Sequence, residues 1–284
     1  MPTKQKTLKR PASLSGIALH TGVRARITIN PAPENTGYVF RRLDLPGQPT
    51  VRALASNVVA TNRGTTIASG NAAVATVEHV LAALSALEVT NALIEMDGPE
   101  PPICDGSALP YVNLAREAGI AEQAAPAEVW TPEGTFKMES GRSVVIAEPA
   151  DELWISCLIE HDKGSIGTQS YECAVTPESF EKELAPARTF CEFRDLEQLI
   201  AMGLVKGGSL DNAIIAHDGA LICKEALRFQ DEPVRHKLLD TVGDLALTGV
   251  LVKAKITMTR PGHSTNIEFA GKILAEQLNK KQES

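Results

Sequence analysis

One segment constrains this chain more than any other: residues 233–244, with the sequence PVRHKLLDTVGD. Residues four apart on an α-helix lie on one face, so His236, Asp240 and Asp244 form a single polar stripe. The acidic pair at 231–232 and the proline that follows it favour a helix start. The flanking positions are apolar, as expected of a helix packed against a core: Leu238, Leu239, Val242 and Leu245. An imidazole and a carboxylate one turn apart can bind the same divalent ion, although a solvated helix face would show the same spacing.

A second polar pair lies at the predicted start of another helix. Residues 76–84, TVEHVLAAL, have apolar side chains at helical spacing, and Thr76 is the predicted N-cap. Glu78 and His79 are adjacent near this helix start, where the partial positive charge of the helix favours an ionised carboxylate. The pair offers one metal ligand and one base. A polar pair exposed to solvent at a helix start is the alternative that this segment leaves open.

Taken together, the candidate metal ligands are His79, His236 and Asp240. Two imidazoles and one carboxylate, with a fourth position left for water, are typical of a catalytic zinc site, whereas structural zinc sites use four protein ligands that usually include cysteine. The five cysteines of this chain form no close pairs and therefore predict no structural zinc site. The residues alone do not show that the two predicted helices meet.

Several short motifs follow one another along the chain. They are TLKR at 7–10, GIALHTG at 16–22, TVEH at 76–79, DGS at 105–107, ARTF at 187–190, GGS at 207–209, RHKLLD at 235–240, GDL at 243–245 and GH at 262–263. From about residue 6 to about residue 275 this series resembles the UDP-3-O-acyl-N-acetylglucosamine deacetylases, the zinc amidases of lipid A biosynthesis. The resemblance implies hydrolysis of the N-acetyl group to give UDP-3-O-acyl-glucosamine and acetate, the committed step of lipopolysaccharide synthesis.

The resemblance also implies a role for each member of the two half-sites. His79, His236 and Asp240 correspond to the ligands of one zinc ion per chain. Glu78 corresponds to the general base that takes a proton from the attacking water. The chain is therefore expected to be a zinc-dependent amidohydrolase.

Further residues take their expected roles from the same resemblance. His263 corresponds to a protonated histidine that stabilises the oxyanion and donates a proton to the leaving amine. Asp244 would keep this imidazole charged, and the Thr189 hydroxyl would bond to the developing oxyanion. The candidates for binding the nucleotide, sugar and acyl group are Lys237, Arg260, Asp195 and Phe190. For the three charged candidates, an ordinary surface salt bridge is an open alternative.

The order of apolar and polar residues predicts a chain of mixed helices and strands. The predicted strands lie at 24–29, 91–96, 143–147, 153–159 and 250–258, and the predicted helices at 107–117, 178–184, 195–202 and 264–277, besides the two at the half-sites. The stretch 121–131 is rich in Ala, Glu, Gln and Pro and is the predicted linker. The resemblance implies an α+β fold of two similar two-layer domains with the helices sandwiched between two β-sheets.

The predicted domains are 1–125, which would contribute Glu78 and His79, and 126–284, which would contribute the remaining ligands and His263. An insertion at about 190–222 in the second domain is expected to bind the acyl chain. Its apolar side chains suit either an acyl groove or ordinary core packing: Leu196, Leu199, Ile200, Leu204, Ile214 and Ile215. Glu192 stands where the family often has an apolar residue, so the preferred chain length stays open.

Composition narrows the class of protein. Acidic residues exceed basic ones by 35 to 28, a net charge of −7, which argues against a nucleic-acid binder. No apolar run approaches the roughly 18 residues of a membrane span, and no apolar segment follows the basic N-terminus as in a signal peptide. Scattered cysteines are typical of a reducing compartment. Composition therefore predicts a cytoplasmic protein. The resemblance implies a UDP-linked acylated amino sugar as its partner, and we expect a monomer with no more than transient membrane contact.

Three histidines have no expected catalytic role. His20 lies in one of the family motifs without an assigned function, and His161 and His217 are predicted surface residues at the ends of strands. Two other functions remain open at this point. One is a zinc amidohydrolase acting on another N-acetyl sugar. The other is a binding protein without activity, whose sequence would have lost Glu78, His263 or a ligand, and none of these is lost.

Overall fold

The computed structural model describes residues 3–161 and 165–283, so the first two residues of the basic N-terminal segment lie outside it. The first part of the chain contains ten strands and two helices. They are β1 (Lys4–Leu8), β2 (Ala12–Ile17), β3 (Arg24–Pro31), β4 (Tyr38–Arg42), β5 (Thr50–Arg52), β6 (Val58–Ala60), β7 (Thr66–Ser69), β8 (Ala72–Val74), α1 (Glu78–Ala86), β9 (Ala92–Met96), α2 (Leu109–Ala118) and β10 (Ile120–Pro126). A single 3₁₀ turn, Ala55–Asn57, precedes β6.

The second part continues with ten further strands and four helices within the described residues. They are β11 (Val129–Trp130), β12 (Phe136–Ser140), β13 (Ser143–Pro149), β14 (Trp154–Glu160), β15 (Thr168–Ala174), α3 (Pro177–Ser179), β16 (Phe190–Glu192), α4 (Phe193–Ala201), β17 (Ile214–His217), β18 (Ala220–Ile222), α5 (Glu232–Leu245), β19 (Leu251–Val252), β20 (Ala254–Thr259) and α6 (His263–Glu283). A π-helical segment, Phe180–Leu184, continues α3, and a 3₁₀ turn, Ala246–Thr248, follows α5.

Two five-stranded sheets share one topology. Their strand orders are β2-β3-β9-β4-β5 and β12-β13-β20-β14-β15. In each sheet the strand that comes last in the chain enters the centre: β9 runs antiparallel to β3 and parallel to β4, and β20 runs antiparallel to β13 and parallel to β14. The long helices lie between these sheets. The expected α+β sandwich is therefore confirmed.

Each sheet buries one face because its strands alternate between apolar and polar residues. Along β3, Ala25, Ile27 and Ile29 are buried while Arg24 and Arg26 are exposed. Successive side chains of a strand point to opposite faces, so this alternation directs every second residue of the strand to the core. The second central strand repeats the pattern at Ala254, Ile256 and Met258. Both sheets contribute to one continuous hydrophobic core.

The helices inside the sandwich are buried around most of their circumference. Eight of the nine residues of α1 and 12 of the 14 residues of α5 are buried. A helix that is surrounded by protein is expected to be apolar on most of its faces. The polar residues that remain on α1 and α5 are therefore exceptions whose partners need to be identified. None of the helices within residues 3–161 and 165–283 is long and apolar enough to cross a bilayer.

The predicted linker at 121–131 is wrong. Most of it forms β10, which pairs antiparallel with β1, and β11, which pairs in parallel with β19. After Ile120 the side chains of β10 are small or polar, and none in the strand is fully buried, so its composition matches that of a loop although its backbone bonds are those of a ribbon. The predicted domain boundary at 125/126 falls at the end of β10 and stays a prediction.

The predicted N-cap of α1 is also wrong. The helix begins at Glu78, and no side chain caps its first turn. Thr76 has a φ of 54°, and its hydroxyl donates instead to Glu100 Oε1 at 2.8 Å. A buried carboxylate thus takes the hydroxyl that would otherwise bond to the helix N-terminus. The helix predicted from residue 107 begins two residues later, and the Ser107 hydroxyl accepts the Leu109 N–H at 3.2 Å.

Candidate active site

The two polar half-sites meet because α1 and α5 pack in direct contact. A Cβ atom on Gly243 would lie 2.0 Å from the Glu78 carbonyl oxygen, so a larger residue at this position would force the helices apart. Glycine inside a helix lowers its stability by about 0.5–1 kcal/mol relative to alanine. Here the loss of helix propensity permits an approach that no other residue allows. The contact places the first turn of α1 beside the polar stripe of α5.

Three candidate ligands converge at this contact. One donor atom from each of His79, His236 and Asp240 lies within 4.8 Å of the others, and all three residues are buried. Asp240 Oδ1 lies 3.8 Å from His79 Nε2 and 3.4 Å from His236 Nε2. Tetrahedral coordination with bonds of about 2.0–2.2 Å separates ligand atoms by about 3.4 Å. The spacing therefore suits a small divalent cation.

The hydrogen bonds and protonation states of the ligands agree with this interpretation. His236 Nδ1–H donates to the Ala187 carbonyl at 2.9 Å, which leaves the Nε2 lone pair free to face Asp240. Burial, together with the charge of His236, lowers the pKa of His79 to about 3, and burial also lowers the pKa of His236. Both imidazoles are therefore neutral at pH 7, as metal ligands must be.

Asp240 supplies the strongest sign that a cation belongs here. Burial alone would raise the pKa of Asp240, but Lys237 and the nearby imidazoles lower it below its ordinary value, so the side chain is charged. Its Oδ2 accepts from Lys237 Nζ at 2.7 Å. Its buried Oδ1 receives no hydrogen bond from any residue within 3–161 or 165–283. An unpaired buried carboxylate oxygen is costly, and a metal ion would remove this cost.

Glu78 lies beside the ligands with its carboxylate held in place. Its Oε2 accepts the Thr65 backbone N–H at 2.9 Å, and its Oε1 lies 3.8 Å from His263 Nε2. Burial raises the pKa of Glu78, His263 opposes this rise, and Asp244 and Asp240 add to it, with a result of about 7. A carboxyl group with this pKa can gain and lose a proton near neutral pH, which suits a general base.

His263 and Asp244 form a directly bonded pair. His263 Nδ1 lies 2.9 Å from Asp244 Oδ2, which also accepts from Asn266 Nδ2 at 2.9 Å. The other carboxylate oxygen accepts from the Thr65 hydroxyl at 2.6 Å. Burial lowers the pKa of His263, but Asp244 and then Glu78 raise it by more, to about 9. The imidazole is therefore protonated at neutral pH and presents its Nε2–H to the space beside Glu78.

Sequence reasoning missed Thr65 and Asn266. Thr65 reaches both Glu78 and Asp244, one through its backbone N–H and the other through its hydroxyl. A backbone donor leaves no trace in the residue type, and no periodicity marks position 65, so the sequence contains no signal for this role. Asn266 lies on α6 one turn after His263, and this spacing is a signal that could have identified it.

A cavity of about 460 Å³ opens over the ligands. Among the predicted residues, its walls include Thr189, Phe190, Lys237 and Arg260 but not Asp195. The Phe190 ring lies 6.3 Å from the His236 ring, and Lys237 Nζ lies 5.5 Å from the Phe190 ring centre. The predicted substrate-binding roles of all these residues stay predictions.

Arg260 and Asp195, two of the predicted substrate-binding residues, each have an ionic partner. Arg260 pairs with Glu160 at 2.8 Å, on the wall of the cavity. Asp195 Oδ2 accepts from Arg63 Nη2 at 2.7 Å, and Arg63 rather than Asp195 lines the cavity. This pair joins a loop of the first part of the chain to α4.

The remaining histidines differ from one another in their surroundings. His161 was predicted to lie at the surface; its side chain is 30% exposed and lines the cavity, with its ring 6.1 Å from that of Phe190. It lies at the end of β14, which runs to the edge of the cavity. The His217 side chain is 41% exposed, as predicted. His20 is buried, and its Nε2 lies 3.1 Å from the Arg63 carbonyl oxygen.

The segment predicted as an insertion forms a small unit of its own. Strands β16, β17 and β18 make a three-stranded sheet, and α4 packs beside it. Leu199 and Ile214 are buried, whereas Ile200 is 65% exposed. Phe193 and Met202 on the same segment are also exposed. Glu192 is buried, and its Oε1 lies 3.8 Å from Nδ1 of His161, which lines the cavity. The acyl groove stays a prediction.

Comparisons with known proteins cover nearly the whole chain. A family model described as "LpxC: UDP-3-O-acyl N-acetylglycosamine deacetylase" matches residues 5–275. A UDP-3-O-acyl-N-acetylglucosamine deacetylase from Anaeromyxobacter sp. (strain Fw109-5) is 42% identical over 272 residues, which cover 96% of this chain and 89% of that protein. The protein of the same name from Chlamydia felis (strain Fe/C-56) is 42% identical over 273 residues, or 96% of this chain and 97% of that protein.

A longer relative also matches nearly the whole of this chain. The bifunctional enzyme LpxC/FabZ of Chlorobaculum tepidum is 38% identical over 297 residues, which cover 95% of this chain and 64% of that protein. The family match runs through both half-sites, the insertion and the pair formed by His263 and Asp244. This chain belongs to the LpxC family of UDP-3-O-acyl N-acetylglycosamine deacetylases.

Proposed function

We propose that this chain hydrolyses the N-acetyl group of UDP-3-O-acyl-N-acetylglucosamine, releasing acetate and UDP-3-O-acyl-glucosamine for lipid A synthesis. One zinc ion per chain would be held by His79, His236 and Asp240. The observation that carries the proposal is the convergence of three buried ligand atoms within 4.8 Å of one another, beside Glu78 and the protonated His263. Family membership identifies the substrate class, and the geometry brings together the groups that hydrolysis of an amide needs.

Each catalytic group has a task that its surroundings favour. When bound, zinc polarises a carbonyl group and lowers the pKa of a coordinated water. Glu78 takes a proton from the water that attacks the acetamide carbon, and its pKa of about 7 makes it an effective acceptor near neutral pH. The Thr65 N–H holds one carboxylate oxygen, so the other faces the reaction.

The second half of the reaction needs a positive charge and a proton. His263 Nε2–H stabilises the oxyanion as it forms and then donates its proton to the leaving amine, whose departure breaks the C–N bond. Asp244 keeps the imidazole charged and fixes its orientation through Nδ1. Thr189, which also lines the cavity, would donate its hydroxyl to the same oxyanion.

Substrate recognition follows the walls of the cavity. Lys237 and Arg260 offer positive charge to the nucleotide, Phe190 offers an apolar face to the sugar or the first carbons of the acyl chain, and the segment 190–222 would bind the rest of that chain. Asp195 would act through Arg63, with which it is paired. The exposed apolar side chains of this segment suit transient contact with a membrane that delivers or receives lipid-linked material.

We further propose that the chain acts as a cytoplasmic monomer of two domains divided at 125/126. Every group of the site comes from one chain, which supports a complete site in a single copy. Each proposed domain contains one five-stranded sheet and supplies part of the metal site. Gel filtration combined with light scattering at micromolar concentration tests the monomer, and a dimer at that concentration would contradict it.

The deciding experiment measures acetate release and metal together. Purified protein should deacetylate the UDP-linked acylated sugar, lose activity on treatment with a chelator and recover it with about one equivalent of zinc. UDP-N-acetylglucosamine without the acyl chain is the comparison substrate. Equal kcat/KM for the two substrates would favour an amidohydrolase acting on another N-acetyl sugar. Full activity in metal-free protein would contradict the metal site.

A further inference from the structure

A buried carboxylate lies near the catalytic pocket without any part in the chemistry above. Glu100 is 0% exposed and lies in the loop between β9 and α2. Its two oxygens accept the backbone N–H of His20 at 3.0 and 3.1 Å, the N–H and hydroxyl of Thr21 at 2.8 and 2.9 Å, and the hydroxyl of Thr76 at 2.8 Å. All its partners are hydrogen-bond donors, and they come from two separate segments of the chain.

One of these segments has a strained backbone. Thr76 has a φ of 54°, a left-handed conformation that β-branched residues rarely adopt because it is strained. Such a conformation persists only when its surroundings hold it. The Ala75 N–H donates to the Pro99 carbonyl at 2.9 Å, and the Val77 N–H donates to the Thr65 carbonyl at 3.2 Å. The Thr76 hydroxyl is fixed between these two points by Glu100.

The strained residue determines where the catalytic helix begins. Thr76 lines the cavity and stands two residues before Glu78, the first residue of α1. The segment from Thr76 to Glu78 is tied to Thr65, whose carbonyl accepts the Val77 N–H at 3.2 Å and whose N–H donates to the Glu78 carboxylate at 2.9 Å. The space is narrow here, because a Cβ atom on Gly64 would lie 3.0 Å from Glu78 Oε1 and 3.4 Å from Thr76 Oγ1. A different φ at Thr76 would therefore displace the base.

The other segment held by Glu100 reaches the insertion. The Lys206 N–H donates to the His20 carbonyl at 3.3 Å, and the Gly207 N–H donates to the Leu19 carbonyl at 2.9 Å. A Cβ atom on Gly207 would lie 2.2 Å from the Ala18 carbonyl oxygen, so the two loops are in close contact. Glu100 thus connects the 18–21 loop, which contacts the insertion, to Thr76, which lies two residues before the proposed base Glu78.

We propose that Glu100 is a positioning residue for the deacetylation. It holds Thr76 in the left-handed conformation and thereby places the Glu78 carboxylate against the reacting water, while it fixes the 18–21 loop against the insertion. This inference rests on the proposed function, because it assigns Glu78 as the base. Misplacement of a catalytic group by about 1 Å can lower a rate by about 10²-fold, which sets the scale of the expected effect.

The first test replaces Glu100 by Gln, a residue of the same size with a single acceptor oxygen. Glu100→Gln turns one side of the group into a donor that faces other donors, so the hold on Thr76 or on the 18–21 loop is lost. We expect kcat to fall by about 10- to 10²-fold with KM changed by less than about threefold and with normal zinc content. Glu95→Gln, on the adjacent strand β9, is the matched control and should keep the wild-type kcat.

The second test separates positioning from general support of the fold. Thr76→Val keeps the shape and the β-branched preference against positive φ but removes the hydroxyl, so it should lower kcat as Glu100→Gln does, whereas Thr76→Ser should recover most of it. Glycine adopts positive φ without strain. Glu100→Gln should therefore cost less than about twofold in kcat when it is made in a Thr76→Gly background, because residue 76 then needs no hydrogen bond to keep its positive φ.

Crystal structures of the variants give a readout that does not depend on activity. In Glu100→Gln and Thr76→Val we expect residue 76 to leave the positive-φ region and the bond between Thr65 N–H and Glu78 to break. An unchanged φ and kcat in Glu100→Gln would overturn the inference, as would an equal loss of kcat in the Thr76→Gly background. If the wild-type chain shows no deacetylation, the proposed function fails, and the positioning of Glu78 by Glu100 is then decided by the crystal structures.

Discussion

The two halves of the molecule build the same sheet and supply different chemistry. In each half a helix, α1 or α5, precedes the strand that enters the centre of the sheet. Helix α1 carries one proposed ligand, His79, and the proposed base, Glu78, in its first turn. Helix α5 offers two ligands and Asp244 at intervals of four residues along one face. Equivalent positions in a repeated topology therefore need not carry equivalent groups, and the active site lies where the two equivalent helices meet.

The segments that follow the two central strands also carry different groups. Residues 97–108 follow β9, and residues 260–262 follow β20. The first, longer loop brings Glu100 to the region of the site, where all its partners are donors. The second, shorter loop leads directly into His263, whose ring faces Glu78 at 3.8 Å. One half thus contributes a group that we propose to position, and the other contributes a group that we propose to react.

The largest effects are expected when a proposed metal ligand is removed from each half of the molecule, or when the proposed base is removed. His79→Ala in the first half and Asp240→Ala in the second should each lose both zinc and activity, because three protein ligands are the minimum for such a site. Glu78→Ala should keep zinc and lower kcat by about 10²- to 10⁴-fold. Elemental analysis and steady-state kinetics measure both quantities. Zinc lost from Glu78→Ala but retained by Asp240→Ala would show that the two carboxylates have been assigned the wrong way round.

The next largest effect concerns the pair formed by Asp244 and His263. The pKa of His263 is raised to about 9, and we propose that its protonated form is the active one, so kcat/KM should fall as pH rises through that pKa. Asp244→Asn removes the main charge that raises the pKa of His263. We expect this pKa to fall by about 1–3, so the alkaline limb should move to lower pH. Bound zinc lowers this pKa in both proteins alike.

The control for the pH profile lies on the same helix. Asp231 pairs with Arg235 at the start of α5, away from the cavity, so Asp231→Asn should leave the alkaline limb in place. Zinc content should be normal in both variants. An alkaline limb that does not move in Asp244→Asn, with zinc present, would contradict the assignment of this limb to His263.

A third variant breaks the contact between the two halves. Gly243→Ala places a Cβ 2.0 Å from the Glu78 carbonyl, and we expect it to lower the free energy of unfolding by about 1–3 kcal/mol and to weaken zinc binding. Gly271→Ala on α6 meets nothing within 4 Å and should raise that free energy by up to about 1 kcal/mol. Urea denaturation measures both. Equal effects from the two substitutions would mean that the close approach of α1 and α5 has no energetic importance.

The smallest effect is expected at the margin of the cavity. Arg63 and Asp195 join the two halves through side chains that are 44% and 30% exposed, and such pairs contribute about 0.2–1 kcal/mol. Asp195→Asn should therefore change stability by less than about 1 kcal/mol and KM by less than about fivefold. A larger rise in KM that Arg63→Ala does not reproduce would show that Asp195 binds the substrate directly.

The sequence predicted the elements better than it predicted their contacts. Alternation located the strands at 24–29 and 91–96, and spacing of four located the stripe on α5, because both periods are properties of the local backbone. The ribbon strand β10 escaped detection because, after Ile120, its residues are small or polar and show no regular alternation with apolar ones. Regular backbone bonding without a buried face has no signature in composition.

The sequence predicted only those parts of the site that depend on the chemistry of a side chain. Imidazoles and carboxylates are visible in the sequence, and the family motifs join them. The meeting of α1 and α5 depends on the absence of a side chain at Gly243, and Thr65 acts partly through its backbone. Thr76 has the composition of an N-cap, but a carboxylate distant in the sequence takes its hydroxyl. These contributions are tertiary, so local sequence patterns do not report them.

The late entry of each central strand has a consequence for the order of folding. Every five-stranded sheet here is completed by the strand that leaves the ribosome last among its five, β9 in the first sheet and β20 in the second. Pairing between distant segments is slow, and chains fold from the N-terminus as they are made. The first sheet is complete while α1, apolar on nearly every side, still lacks its cover. We expect nascent chains to require shielding from aggregation until α5 emerges, and zinc to be captured only after that point.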